Sequence, residues 1–130
     1  MKTLLVIKAG VELFAGFAFA AYPSRLMFIL LGETLSSPAG ISAVRMFGAS
    51  IFAMGLASWL ARNDSECTAT RGLISAMLLY DAAFIVVLLT AHLNMGLSGI
   101  ALWPVVLLHS ALAVFSLFCL KREHTIARPG

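Results

Sequence analysis

Glu12, Asp81 and His109 are the residues of this chain best suited to chemistry, and each stands near the middle of a different long hydrophobic segment. Those segments cover residues 4–21, 73–91 and 100–120. With a rise of ~1.5 Å per helical residue, each polar side chain starts ~13–14 Å from the end of its segment, close to the midplane of a ~30 Å hydrocarbon core. An ionised group at that depth costs ~2.5–3.5 kcal/mol on insertion scales. Three such residues at one depth predict a shared polar centre between helices. That centre has two uses: a structural tie, or a proton relay and counter-charge for a ligand.

The three differ in what their neighbours offer. Glu12 has Lys8 one turn earlier on the same helix face, which predicts an intrahelical pair. Asp81, in the run Leu78-Leu79-Tyr80-Asp81-Ala82-Ala83-Phe84, has no basic residue within a turn. Its partner must come from another helix, with Arg45 and His109 as candidates, or it must carry a proton. Tyr80 beside it is counted with the polar centre. His109 shares a face with Ser116 and is expected to stay neutral and hydrogen-bond to Asp81. A haem held between His92 and His109 is the remote alternative. Their positions at the end and the middle of their segments offset them by more than ~10 Å along the membrane normal, whereas the two axial ligands of one iron need matched depth.

These side chains need helices to position them. The chain has 130 residues, of which 61% are hydrophobic and 12% charged, about half the charge of an ordinary soluble domain. A fourth apolar segment, residues 41–61, completes a set of four, each long enough to cross a bilayer. In lipid every backbone N–H and C=O must be satisfied within the segment, which selects helices at this length. The expected fold is therefore all-α: one integral membrane domain over residues 1–130, a four-helix bundle with both termini on the same side. Too few residues remain between the segments for a soluble domain.

The formal net charge of +3 reads as topology rather than nucleic-acid binding. Lys2, Arg62, Arg71, Lys121, Arg122 and Arg128 fall on one side of the four segments, against Arg25 alone on the other. The positive-inside rule then places both termini in the cytoplasm. Ala18-Phe19-Ala20 fits a signal-peptide cleavage pattern, but Lys8 and Glu12 interrupt the apolar core such a peptide needs, so the segment is read as a true span. Cys67 and Cys119 lie on the cytoplasmic side without a C-x-x-C spacing, which argues against a disulfide framework or a thiol oxidase.

The connections are short. Tyr22-Pro23-Ser24 ends the first span, and the apolar run Leu26–Leu31 is too brief to cross, so it is expected to lie on the outer surface as an interfacial helical segment. Residues 94–99 should form a tight outer turn, and Trp103-Pro104 opens the last span with an aromatic anchor and a tolerated proline. In the second span Gly48 and Gly55 recur at seven residues and Ala49, Ala53 and Ala57 at four, spacings that let helices approach closely. Arg45 shares the face of Gly48, Phe52, Gly55 and Trp59 and is expected to point inward.

The stretch from Arg45-Met46-Phe47-Gly48-Ala49 to Ala57-Ser58-Trp59-Leu60-Ala61-Arg62, followed by Tyr80-Asp81 and Leu102-Trp103-Pro104 with His109, resembles uncharacterised small bacterial inner-membrane proteins similar to the DoxX-like four-helix group. The resemblance implies the fold and no activity or functional residue. A second likeness is to small multidrug-resistance transporters, through Glu12 in Val11-Glu12-Leu13; Lys8, Arg45, Asp81 and a longer first loop depart from that pattern.

No nucleophile motif, phosphate-binding glycine loop or metal-ligand cluster is present, so no enzymatic activity and no cofactor are expected. The leading expectation is a non-enzymatic accessory or assembly partner of a membrane complex, with the bilayer and a larger complex or second copy as its partners. The alternative is a proton-coupled small-molecule transporter in which Glu12 and Asp81 titrate. A fully paired and dry centre favours the first, and a wet cavity open to one side favours the second.

Overall fold

The structure, a computed structural model, describes residues 1–64 and 67–126. Among them the chain is all-helical: α1 (Lys2–Ala21), α2 (Pro23–Leu31), α3 (Pro38–Ala61), α4 (Thr68–Met95) and α5 (Leu102–Ile126). Four of the five are long and apolar enough to cross a membrane, the exception being α2. The chain is thus a multi-pass membrane protein. α4 is longer than its hydrophobic segment, running from Thr68 to Met95, so Asn94 and Met95 are helical rather than part of the turn.

Local chemistry sets the boundaries. Tyr22 closes α1 and opens α2, and Pro23 follows as the first residue of α2, where its missing N–H costs nothing. Gly32 ends α2 in the left-handed region at φ 82°, and Gly96 ends α4 at φ 69°. Ser37 caps α3 by accepting from the Gly40 N–H at 3.0 Å, with Pro38 behind it. His92 Nδ1 lies 3.1 Å from the Leu97 carbonyl and its ring meets Trp103 edge-on, which fastens the α4–α5 turn.

The helices associate as two pairs, α1 with α3 and α4 with α5. Three glycines draw α1 and α3 together. A Cβ on Gly16 would stand 2.4 Å from the Phe52 nitrogen, one on Gly48 2.5 Å from the Ala20 nitrogen, and one on Gly55 2.8 Å from the Leu13 nitrogen. Backbones this close replace the hydrophobic drive, which lipid does not supply between helices. The buried stripe of α3 is Gly48, Ile51, Gly55 and Ser58.

Ala49 and Ala53 are exposed, not in the contact. Ala49 lies one residue past Gly48 and Ala53 two past Ile51, and each residue turns the helix by about 100°. Phe52 and Trp59, expected on the same face, stand at its edge and remain 42% and 43% exposed. Trp59 instead carries the Arg62 guanidinium, whose Cζ is 3.8 Å from the ring centroid while its Nη1 donates to the Trp59 carbonyl. An aromatic–cation pair at a helix end suits a membrane interface.

The glycine contact makes a direct prediction. Gly16→Ala should destabilise the protein by about 1–3 kcal/mol, because only backbone surrounds the added methyl. Gly10→Ala, with nothing within 4 Å, should leave stability unchanged or raise it. Thermal melting of both variants in detergent checks this; equal melting temperatures would refute the glycine contact.

Candidate functional site

Asp81 lies near the middle of α4 and is 1% exposed. Lys8 reaches it from α1, with Nζ donating to Oδ2 at 2.6 Å. His109 reaches it from α5, with Nδ1 2.9 Å from Oδ1. An ionised carboxylate only accepts, so the geometry puts a proton on His109 Nδ1. Three helices from both pairs therefore converge on one carboxylate, and both of its oxygens are occupied. Lys8 is itself fully buried, its charge neutralised where it ends.

The structure brings together Lys8, Asp81 and His109 with Glu12 and Tyr80 beside them, and leaves Arg45 out. Arg45 is exposed. The buried face of α3 is centred about 100° around the helix from it, so its side chain cannot reach Asp81 from that position. The cation that the acid requires is Lys8, which spacing alone assigned to Glu12. Its flexible four-carbon stem carries the ammonium across to the neighbouring helix instead of back along its own.

Glu12 is left as the unpaired acid. It is 3% exposed, and Oε2 has no hydrogen-bond partner among the described residues. It stands four positions after Lys8, whose ammonium is committed to Asp81. Glu12 forms part of the wall of a cavity of about 330 Å³ between α1, α4 and α5. The rest of that wall is apolar or aromatic, with Phe19, Tyr80, Phe84 and His109 among its rings. Burial leaves Oε2 with a hydrogen-bonding need that nothing among the described residues meets, next to space that something could fill.

The roof of the cavity is α2, through Leu26, Ile29 and Leu30. It is pinned to the start of α5: the Gly99 N–H donates to the Leu30 carbonyl at 3.2 Å and the Ala101 N–H to the Ile29 carbonyl at 2.9 Å. These bonds satisfy carbonyls that the end of α2 would otherwise leave orphaned. Glycine is needed at 99, since a Cβ there would come 2.3 Å from the Ile29 oxygen. The expected interfacial segment is thus a helix that also covers the site.

A chain of rings runs through the same region. Phe84 stacks on Tyr80 and on Phe47 with centroids 5.7 and 6.0 Å apart, and the His109 centroid is 4.6 Å from that of Phe84. Behind Phe19, Tyr80 and Phe84 lies a second cavity of about 360 Å³, lined wholly by apolar and aromatic residues including Val44, Phe47 and Leu88. The rings are therefore partitions as well as walls.

Comparison with protein-family models, with curated proteins and with solved structures finds no match. The function has to be argued from this geometry.

His92 is engaged at the last turn of α4 and His109 is committed to Asp81, so the two imidazoles do not share a site. Cys67 and Cys119 are half-buried free thiols. Among the described residues no group of three or more His, Cys, Asp or Glu could hold a metal ion.

The Asp81 cluster is testable by a double-mutant cycle. Asp81→Ala strands the Lys8 ammonium in apolar surroundings and should cost up to about 3–5 kcal/mol, less in lipid, where the unfolded state also finds partners. Asp81→Asn, which keeps a hydrogen-bonding side chain, should cost less. Combining Asp81→Leu with Lys8→Met should recover much of the loss. Additive losses in denaturant-monitored unfolding would show that the pair is not coupled.

Proposed function

We propose that this protein is an inner-membrane four-helix bundle, both termini cytoplasmic, that binds a lipophilic small molecule in the cavity beneath α2 and has no enzymatic activity of its own. The observation that carries the reading is Glu12: a buried carboxylate with an unpaired oxygen on the wall of an otherwise apolar cavity. A purely structural centre has no use for an acid it leaves unpaired, because replacing such a group by an apolar one is stabilising as a rule. The cavity volume of about 330 Å³ falls within the range of small-molecule sites, and its place under a membrane-surface helix gives a lipid-dissolved compound a route in. The DoxX-like likeness belongs to this proposal as a matter of fold.

A second reading, an accessory or assembly partner in a larger membrane complex, takes its support from Asp81. With both oxygens paired, that acid acts as a tie between helices.

Two experiments bear on the proposal. Filling the cavity with Ala15→Phe or Val105→Phe should weaken binding of a lipophilic fluorescent probe by protein in nanodiscs by about tenfold or more, while Ala82→Phe, on an exposed position, should not. Equal probe affinity in all three variants would remove the cavity from the reading. For topology, a membrane-impermeant thiol reagent on intact cells should leave Cys67 unlabelled in a Cys119→Ser background and label it once the membrane is opened. Labelling of intact cells would invert the orientation.

A further inference from the structure

Resting on the cavity reading above, we propose that the occupant is a neutral lipophilic alcohol whose hydroxyl lies between His109 Nε2 and the Glu12 carboxyl group, accepting from one and donating to the other. Three residues bring polar side-chain atoms to the cavity wall: Glu12, Tyr80 and His109. His109 is 8% exposed, and its Nδ1 is taken by Asp81. The ring is held further by Phe84, with centroids 4.6 Å apart, and by Tyr80, edge-on at 5.9 Å. Nε2 is then its one remaining polar atom, and no described residue hydrogen-bonds to it. A carboxylate on the opposite nitrogen makes Nε2 the more basic. Glu12 Oε2 is the other polar atom left without a partner among the described residues. One cavity thus carries two unanswered groups, on α1 and on α5.

Charge fixes what these two groups ask for. Lys8 and Asp81 cancel each other at 2.6 Å. α2 brings only apolar side chains to the wall, and α3 meets Glu12 through Gly55, which carries no charge. A centre without net charge, which this depth favours, leaves Glu12 and His109 one proton between them. It sits on the carboxyl group or on Nε2. In either state one group donates and the other accepts, so their complement is a single atom able to do both. A hydroxyl has one donor and two lone pairs. An ammonium only donates, an ether or ketone only accepts, and a carboxylic acid brings another ionisable group. Water shares the hydroxyl's capability but leaves the apolar remainder of the cavity unfilled. A hydrocarbon body satisfies that remainder, which is lined by Phe14, Phe19, Phe84 and aliphatic side chains. Binding is by hydrogen bonds alone, and no net proton enters or leaves.

The test uses the full chain in nanodiscs and four probes of nearly one shape: 1-adamantanol, 1-methyladamantane, 1-methoxyadamantane and 1-adamantylammonium. Affinities are referred to the concentration dissolved in the lipid. Wild type should bind the alcohol at least about tenfold more tightly than the other three, with no proton released or taken up. The nitrogen resonance of His109 Nε2 should move on adding the alcohol and stay in place with the methyl compound. Glu12→Leu removes an unpaired buried acid and should fold at least as well as wild type. It should bring the alcohol down to the affinity of the methyl compound. Equal affinity of these two probes for wild type, or an unmoved His109 resonance, would overturn the hydroxyl assignment and leave the cavity reading standing. Tighter binding of the ammonium would overturn it in favour of a charged occupant. Failure of all four probes would end both readings. If Glu12→Leu does not fold, the wild-type ranking and the His109 resonance decide the matter.

Discussion

A carboxylate buried among apolar helices has to be compensated where it stands, and the arrangement of this protein follows from how Asp81 is compensated. Lys8 and His109 come from helices on either side and each takes one oxygen. This fixes α1 and α5 to α4 at one depth and in one rotation, since a turn of any of the three by one residue, about 100°, would withdraw its side chain. In lipid, where apolar side chains have no drive to leave their surroundings, directional contacts of this kind carry much of the specificity that a hydrophobic core supplies in water.

On one side of that tie the helices are tight and on the other they are open. Gly16, Gly48 and Gly55 bring α1 and α3 into backbone contact, leaving no volume between them. Toward α2 the packing opens: one cavity lies between α1, α4 and α5 and another between α3 and α4, both walled by bulky rings. Glycine contacts and aromatic spacers are opposite solutions to the same packing problem, and having both in one small protein produces a rigid wall beside an open one. Glu12 belongs to both: Gly55 packs against its Cβ while its carboxylate reaches the cavity.

α2 shows how a short connection gains a role. As a sequence it is a nine-residue apolar run unable to span a bilayer. Pinned through its last carbonyls to Gly99 and Ala101, it becomes the cover of the cavity. Because that pin consists of two backbone hydrogen bonds and a glycine contact, the cover is held to the beginning of α5, the helix that also carries His109.

The residues alone determined the class of the protein and the depth of its polar centre. Four apolar stretches of this length admit only helices, because lipid offers no other partner for the backbone, and Glu12, Asp81 and His109 near their midpoints had to meet or be neutral. Spacing also marked Gly48 and Gly55 as contact positions. What spacing could not determine is rotation about each helix axis and the identity of long-range partners. Arg45 and Ala49 lie close to the contact stripe in sequence and outside it in space, and Gly16 gives no sign of its importance until α3 is laid against it. Lys8 is the sharpest case: four residues from Glu12, it suits that acid by every local rule, yet it crosses to Asp81. A local rule ranks neighbours along one helix, whereas the energy of a buried charge depends on every group within reach, and only the packed helices decide which groups those are.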